Sequence, residues 1–423
     1  MKPETAKGVR DIPPEEKIIK NQVLSAIREI FELYGFAPLE TPLIERYETL
    51  AAKGSAGEES DVLKEIFKFT DQGERKLGLR FDLTVPLARY MSMNPNLKLP
   101  FKRYELGPVF RDGPIKLGRY REFWQVDVDI IGTKSMLADA EIIALTDAVF
   151  RKLNLDIVIK INTRKLLNGL LEQADIKSKE EAIIAIDKLS KIGKEGVTTE
   201  LSKRGYTKKQ ITSLFSLIQE TSTLQQLKGK ITNAEGQEGI TELEEIFRYL
   251  QKMGITSAIF DVSLARGLAY YTGTVMEAFL KSGKITSSLA GGGRYDQLIQ
   301  KLGGPQLPAV GISFGLEPIM DTLKLEKGLV GAKTPAKVYI IPLNTEEESL
   351  SLAQELRRAG IPADLSLAKK SLSKNLKYAH AQGIPYVIIL GDNELKQKKV
   401  LLRDMNDGTE QLLTVKDTIE KLK

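Results

Sequence analysis

The chain has 423 residues, with 62 Lys and Arg against 56 Asp and Glu, a formal net charge of +6, no cysteine and one histidine, His380. That length predicts two or three domains with an ample core; the lack of cysteine excludes disulfides and thiolate metal sites, and a Ser-His-Asp triad could be built only on His380. A catalytic metal would then be a hard cation on carboxylates and phosphates, hence Mg²⁺, and a polar N-terminus with no membrane-length apolar run predicts a cytoplasmic α/β protein with no membrane partner.

Residues Lys7 to Pro14 (KGVRDIPP) read as an extended lead-in. Ile19, Val23, Ile27, Ile30, Phe31 and Tyr34 then recur at helical spacing, with Gly35 placed as the stop. Phe36 to Glu45 (FAPLETPLIE) predicts a strand interrupted by Pro38 and Pro42. Proline cannot donate to a ladder, so this strand belongs at an edge or an interface. In LRFDLTVPLARY, Leu79 to Tyr90, Asp82 and Thr84 fall on one face of an extended segment, unless the pair caps a helix ahead of Pro86.

Phe101 to Gly132 predicts two strands joined by a basic loop. In the second, Trp124, Val126, Val128 and Ile130 alternate with Phe123, Gln125, Asp127 and Asp129, the period of a strand with one apolar face. In the first, Leu106 and Phe110 oppose Glu105 and Arg111. The other face therefore gathers Arg111, Gln125, Asp127 and Asp129, with Arg119 and Arg121 at the loop end. Such a face is either solvated or the wall of a polar ligand site. The spacing of Gln125 and Asp129 suits convergence on one small ligand, and the loop arginines suit phosphate.

From about 171 to 232 the pattern turns helical and charged, as an inserted module would. Lys203, Arg204, Lys208 and Lys209 around Tyr206 read as a phosphate-gripping cluster or as a solvated helix end. Ser257 to Phe279 is strand-like with a glycine break, and Ala290 to Asp296 (AGGGRYD) lets backbone approach a ligand closely. Pro308 to Met320 (PAVGISFGLEPIM) predicts a strand entering a helix at Gly315. Glu326 to Pro335 reads as a linker. Beyond it, VYIIPL, a helix from about Glu346 to Ala359, a strand near Pro362, a helix around Ser371 to Gln382 and the strand Tyr386 to Leu390 predict a small α/β domain. Its Lys369, Lys370, Lys374, Lys377, Lys396, Lys398 and Lys399 could follow RNA phosphates or simply face water.

Phe110-Arg111, then RYREFWQ from Arg119 to Gln125, then Asp129 resemble motif 2 of class II aminoacyl-tRNA synthetases in the form found in histidyl-tRNA synthetases. KGVRDIPP is similar to that family's N-terminal signature, FAPLETPLIE to its motif 1 and PAVGISFGLEPIM to its motif 3. Arg266, Gly267, Tyr270 and Tyr271 match its histidine-specific signature, with Ala269 where an acidic residue is common. Motif 3 ordinarily carries Glu-Arg, whose arginine meets the γ-phosphate; here Pro318 follows Glu317. Either Arg119 or Arg294 takes that role, or ATP binding is impaired.

The resemblance implies an α+β fold: an antiparallel-sheet catalytic domain over 1–325 with the helical insertion, a linker at 326–335, and an anticodon-binding α/β domain over 336–423. It implies ligation of L-histidine to tRNA(His) through an adenylate formed from ATP with Mg²⁺, in a homodimer joined through motif 1. Histidine would be held by Asp82, Leu83, Thr84, Arg111, Gln125, Asp129, Arg266, Tyr270, Tyr271 and Tyr295. Within that set, Asp82 and Thr84 take the ammonium, and Asp129 and Tyr271 read the imidazole. ATP would be met by Arg111, Arg119, Arg121, Arg266, Gly311 and Gly315, with Arg111 and Arg266 catalytic. A non-catalytic regulatory subunit of ATP phosphoribosyltransferase, which shares the catalytic domain, is the rival that Pro318 would suit.

Overall fold

The computed structural model describes residues 2–52, 61–115, 120–219, 223–266, 270–328, 332–368 and 370–423. Arg119, Gly267, Ala269 and Lys369, singled out in the sequence, lie outside them. The chain divides into two compact units, Met1–Arg10 with Val23–Lys327 and Asp11–Gln22 with Gly328–Lys423.

The first long helix, Pro14–Leu33, opens with proline at its first position and Glu15 and Glu16 in its first turn, both favourable at a helix N-terminus. Gly35, at φ +75°, stops it as the sequence predicted. The strands of the first unit are β1 (Ala37–Pro38), β2 (Ile44–Arg46), β3 (Lys68–Thr70), β4 (Lys76–Leu79), β5 (Phe101–Phe110), β6 (Glu122–Ile131), β7 (Ile157–Thr163), β8 (Ala258–Phe260), β9 (Thr274–Leu280), β10 (Ala290–Arg294) and β11 (Ala309–Gly315). Among the described residues the large sheet runs β1-β5-β6-β11-β10-β9-β7-β8 and a small one β2-β4-β3. Inner pairings of the large sheet are antiparallel, while the edge strands β1 and β8 pair in parallel.

Phe36 to Glu45 is not one strand. It splits into β1, at the edge of the large sheet, and β2, at the edge of the small one. Neither Pro38 nor Pro42 can donate to a ladder, and Thr41 between them turns inward, its N–H and hydroxyl donating to Glu105 Oε1 at 2.9 and 2.8 Å. Nor is the stretch from Leu79 to Thr84 extended throughout. The helix Thr84–Met93 starts at Thr84, and Asp82 Oδ1 accepts the Val85 N–H at 3.0 Å. β4 ends at Leu79, and the Asp82 carboxylate satisfies an orphan N–H of the helix's first turn.

The alternation in β6 sorts Val126, Val128 and Ile130 as expected, whereas Trp124 lines the cavity and Leu106 and Phe110 of β5 are only half-buried. Tyr104, Val126, Val128 and Ile130 are buried on the face where Phe31, Phe150 and Phe314 meet, Phe314 lying 5.7 and 5.8 Å from the other two rings. Each such aromatic side chain contributes about 1.5–3 kcal/mol by leaving water. The helix Met136–Lys152 covers this side and is capped by Ser135, which accepts the Leu137 N–H at 3.2 Å. The opposite, polar face is buried as well, with Arg103, Glu105, Asp127 and Asp129 each at most 4 % exposed. The solvated reading of that face is therefore excluded.

Between β7 and β8 the chain is helical: Arg164–Gln173, Lys179–Ile186, Leu189–Lys203, Lys208–Gln219, Leu224–Lys228 and Ala234–Lys252. This run is wider than the 171–232 read from the pattern, because its first and last helices carry one face against each other. Gly169 and Gly236 make that approach possible: a methyl on Gly169 would sit 2.5 Å from the Gly236 Cα.

The second unit holds β12 (Val338–Leu343), β13 (Ala363–Leu365), β14 (Tyr386–Gly391), β15 (Val400–Asp404) and β16 (Glu410–Leu413), ordered β13-β12-β14-β15-β16. The first three are parallel and the last two antiparallel, a mixed sheet. Val338 and Ile340 pack with Leu352 and Leu356 of the helix Glu346–Arg358. Tyr339 and Ile341 pack with Ala379 of the helix Leu372–Gln382. Both sheet faces are covered, which is why VYIIPL reads as an unbroken apolar run. Among the described residues, no helix is long and apolar enough to cross a membrane.

Candidate functional site

On the polar side of the large sheet lies a cavity of about 450 Å³. Its floor is set by strand register. Asp129 stands opposite Arg103 of β5 and Gly311 of β11, Asp127 opposite Glu105 and Ser313, and Gln125 opposite Gly107 and Gly315. Next to β11, β10 offers Gly291 and Gly293 on the same face. The glycines are not there for a flexible turn; Ala290–Arg294 is a central strand. A methyl at Gly291 would overlap the Arg266 guanidinium, one at Gly293 the Tyr271 ring, and one at Gly311 the Asp129 carboxylate. Side chains fold down into the space that the glycines leave empty.

Of the residues picked from the sequence, Asp82, Thr84, Arg111, Gln125, Asp129, Arg266, Tyr270, Tyr271, Tyr295, Gly311 and Gly315 line this one cavity. Three others, Leu83, Arg121 and Arg294, do not join them. Leu83 is fully buried outside the lining, and its carbonyl accepts from Arg103 at 3.2 Å. Arg121 pairs with Asp112 at 3.0 Å and stands outside the lining. Arg294, offered as a phosphate-binding substitute for the missing arginine, is 3 % exposed and ion-paired with Asp139, its fork also donating to the Thr133 and Ser135 carbonyls. A buried, fully used guanidinium has nothing left for a phosphate. Arg119 lies outside the described residues.

The cavity has two chemically distinct parts. Arg111, whose Nε donates to the Phe81 carbonyl at 3.1 Å and whose guanidinium lies 4.9 Å from the Phe123 ring centre, and Arg266 are the cations that line it among the described residues. Arg266 has φ +41°, a left-handed conformation uncommon for a side chain of this size. Its Nε is 3.4 Å from Glu277 Oε1, and its guanidinium lies over the Tyr271 ring. The rings of Tyr270 and Tyr271 lie 4.5 Å apart and tilted by 40°, their hydroxyls 3.4 Å apart, and burial pushes the Tyr270 phenol up to about 12.

The second part is acidic. Asp129 Oδ2 is 2.8 Å from Arg103 Nη2, and its Oδ1 accepts the Tyr295 hydroxyl at 2.5 Å. Burial raises its titration, while Arg103 and the Tyr295 bond oppose that rise. Asp127 is pushed up to about 7, first by burial and then by Asp129, with Arg103 pulling the other way. Gln125 donates to Ser313 Oγ at 3.1 Å, leaving its own Oε1 and Asp127 Oδ1 without partners. An acceptor-rich wall of this kind asks for a ligand that brings N–H groups.

Sequence reasoning missed Glu65, Phe123, Trp124 and Ser313 as lining residues, and Arg103 beneath them, whereas Asp127 takes the place on the polar face that its parity predicted. Arg103 was findable: it has the parity of Glu105 and Arg111 along one strand, and so shares their face.

A model of the histidyl-tRNA synthetase family matches residues 8–319, and one of the anticodon binding domain matches residues 337–423. The chain is 44% identical over 418 residues to histidine–tRNA ligase 1 of Bacillus cereus, covering 97% of this chain and 95% of that one. It is 41% identical over 416 residues to histidine–tRNA ligase 2 of Shouchella clausii, covering 96% and 97%. The crystal structure of histidyl-tRNA synthetase from Nostoc sp. PCC 7120 matches with a TM-score of 0.87 at 32% identity, over 99% of this chain and 98% of that one. With both family models in place and relatives of this similarity along nearly its whole length, the chain belongs to the histidyl-tRNA synthetase family.

Proposed function

We propose that the cavity is where L-histidine and ATP combine. The enzyme is a histidine–tRNA ligase. A histidine carboxylate oxygen attacks the α-phosphorus of ATP, the bond to the β-phosphate oxygen breaks and pyrophosphate leaves. A hydroxyl of the terminal tRNA ribose then attacks the acyl carbon and AMP departs. Both steps are displacements in which the protein mainly orients reactants and offsets developing charge.

The observation that carries the residue roles is the gathering of Asp82, Thr84, Gln125, Asp129 and Tyr271 in one cavity with Arg111 and Arg266. Asp82, Thr84 and Gln125 hold the ammonium and carboxylate end of histidine. Asp129 accepts from one imidazole nitrogen and the Tyr271 hydroxyl donates to the other. Arg111 and Arg266 meet the α-phosphate, and Gly311 and Gly315 let the nucleotide lie close to β11. Among the described residues no group of three metal-ligating side chains exists. A Mg²⁺ ion would therefore take most of its oxygens from ATP, with Glu65 and Glu317 as the lining carboxylates able to share it. When bound, it neutralises phosphate charge.

The non-catalytic alternative keeps one point in its favour, Pro318 in place of the motif 3 arginine. ATP–pyrophosphate exchange with each amino acid, followed by aminoacylation with and without tRNA, separates the readings. Exchange that needs histidine and nothing else, then transfer to tRNA, is the expected result; no exchange with any amino acid would favour the regulatory role.

The protein works in the cytoplasm as a homodimer joined at Phe36 to Glu45. That segment supplies the edges of both sheets of the first unit and leaves Leu43 and Ile44 42% and 50% exposed, and unpaired edges call for cover. Sedimentation at micromolar concentration should give a dimer; an active monomer would remove this assignment.

The second unit holds the anticodon end of the tRNA. Lys370, Lys374, Lys377, Lys396 and Lys398 are exposed on it. Replacing these five with Ala should leave pyrophosphate exchange intact, raise the KM for tRNA and lower the salt slope of tRNA binding by about 0.7–0.9 for each phosphate that is no longer neutralised. Equal loss of exchange and aminoacylation would count against it.

A further inference from the structure

Arg103 has no role in the assignment above, yet it is fully buried directly beneath the cavity. Its Nη2 is 2.8 Å from Asp129 Oδ2 and also donates to the Leu83 carbonyl at 3.2 Å. Its Nη1 is 3.7 Å from Glu105 Oε2. Glu105 is itself fixed, its Oε1 accepting from Arg80 Nη1 at 2.7 Å and from the N–H and hydroxyl of Thr41. One nitrogen, Nη2, thus joins the strand that carries Asp129 to the turn in which Leu83 sits between Asp82 and Thr84.

We propose that Arg103 is a positioning residue for the amino acid, setting the spacing between Asp129 at the imidazole end and the Asp82–Thr84 turn at the ammonium end. The proposal rests on the assignment of those residues to histidine. The turn contributes Asp82, β5 contributes Glu105, β6 contributes Asp127, and the residue after β10 is Tyr295; Tyr270 and Tyr271 line the same cavity, and Arg80 stands behind Glu105. From β11 come Gly311 and Ser313, which do not titrate in the working range. The carboxylates around Asp129 all favour its protonated form, and Arg103 is the cation in direct contact that opposes them. Without it, Asp129 would ionise only at higher pH.

The test uses the full chain, wild type, Arg103→Met and Arg103→Lys, with histidine and ATP KM from pyrophosphate exchange at about pH 6 to about pH 9 and a melting curve for each. Absence of histidine-dependent exchange in the wild type would fail the ligase reading and not this one. Arg103→Met should raise the histidine KM roughly ten- to hundredfold near neutrality, leave the ATP KM unchanged, and recover part of the loss as pH rises. Free histidine titrates identically for every variant, so the difference between profiles reports the protein. Arg103→Lys should restore the pH profile but not the full affinity, since its shorter stem and single nitrogen do not reach the position from which Nη2 meets both Asp129 Oδ2 and the Leu83 carbonyl. Unchanged histidine KM and profile in a folded Arg103→Met, or equal loss of both substrates with no pH change, overturns the proposal. If Arg103→Met does not fold, Arg103→Lys decides alone. A raised histidine KM with unchanged ATP KM then supports the proposal, and a wild-type histidine KM overturns it.

Discussion

Replacing Arg266 by Ala should slow ATP–pyrophosphate exchange by roughly 10²–10³-fold, the usual effect of removing one fixed partner of a charge that develops in the transition state. The backbone states why this arginine is poised. At φ +41° it occupies a conformation that costs energy for any residue with a Cβ, and such strain persists only where the surroundings impose it. Its guanidinium fills the space that Gly291 leaves empty and lies 3.4 Å from Glu277. Charge and direction are therefore set before substrate arrives. The loss should fall on the rate of the chemical step, with the histidine KM nearly unchanged, because histidine has other partners in the cavity. Arg266→Lys should recover little, since a point charge replaces a planar fork that can meet two phosphate oxygens. Pyrophosphate exchange at saturating histidine, with a melting curve, reads the effect. A folded Arg266→Ala that keeps its rate within about tenfold, which is 1.4 kcal/mol, would strip Arg266 of the α-phosphate role.

Much of this site was visible in the sequence because its residues are written at strand period. Gln125, Asp127 and Asp129 share a parity, and β6 is a regular strand along its whole length, so parity became position. Whether that polar face met water or protein was not visible. Alternation has the same form in either case, and the Arg103 and Glu105 that bury the face come from another strand, through a register that sequence spacing does not give. The misplaced residues share a cause. Leu83 sits between two lining residues, but the helix beginning at Thr84 turns its side chain away into the core. Arg294 follows three glycines as a ligand-facing arginine might, yet Asp139 on the helix Met136–Lys152 claims it from a distant part of the chain. In the second unit the elements as far as Leu390 were legible closely, because apolar strands alternate with amphipathic helices there, whereas β15, β16 and the helix Val415–Leu422 were not read from the pattern.

Asp129→Ala and Asp129→Asn should part company. If Asp129 reads the imidazole, either change removes an acceptor from a buried N–H of the substrate. Leaving that donor unpaired costs about 1–3 kcal/mol, a rise of roughly tenfold to over a hundredfold in the histidine KM. The ATP KM should stay where it is, unlike that of Arg111→Ala. The structure adds a second consequence. Asp129 is also the 2.8 Å partner of the fully buried Arg103, and breaking a buried ion pair by removing one member costs about 3–5 kcal/mol of stability. Asp129→Ala should therefore melt markedly lower as well as bind histidine poorly, and its instability alone would not show that Asp129 is merely structural. Asp129→Asn keeps the side-chain shape and an oxygen for the Tyr295 hydroxyl, so it should fold better while its affinity still falls. Glu105 remains beside Arg103 in both variants and softens the charge imbalance. Titrating histidine and ATP separately against both variants, with melting curves, gives the decision. A folded Asp129→Asn with wild-type histidine KM would return Asp129 to the scaffold and leave Tyr271 to read the imidazole without it.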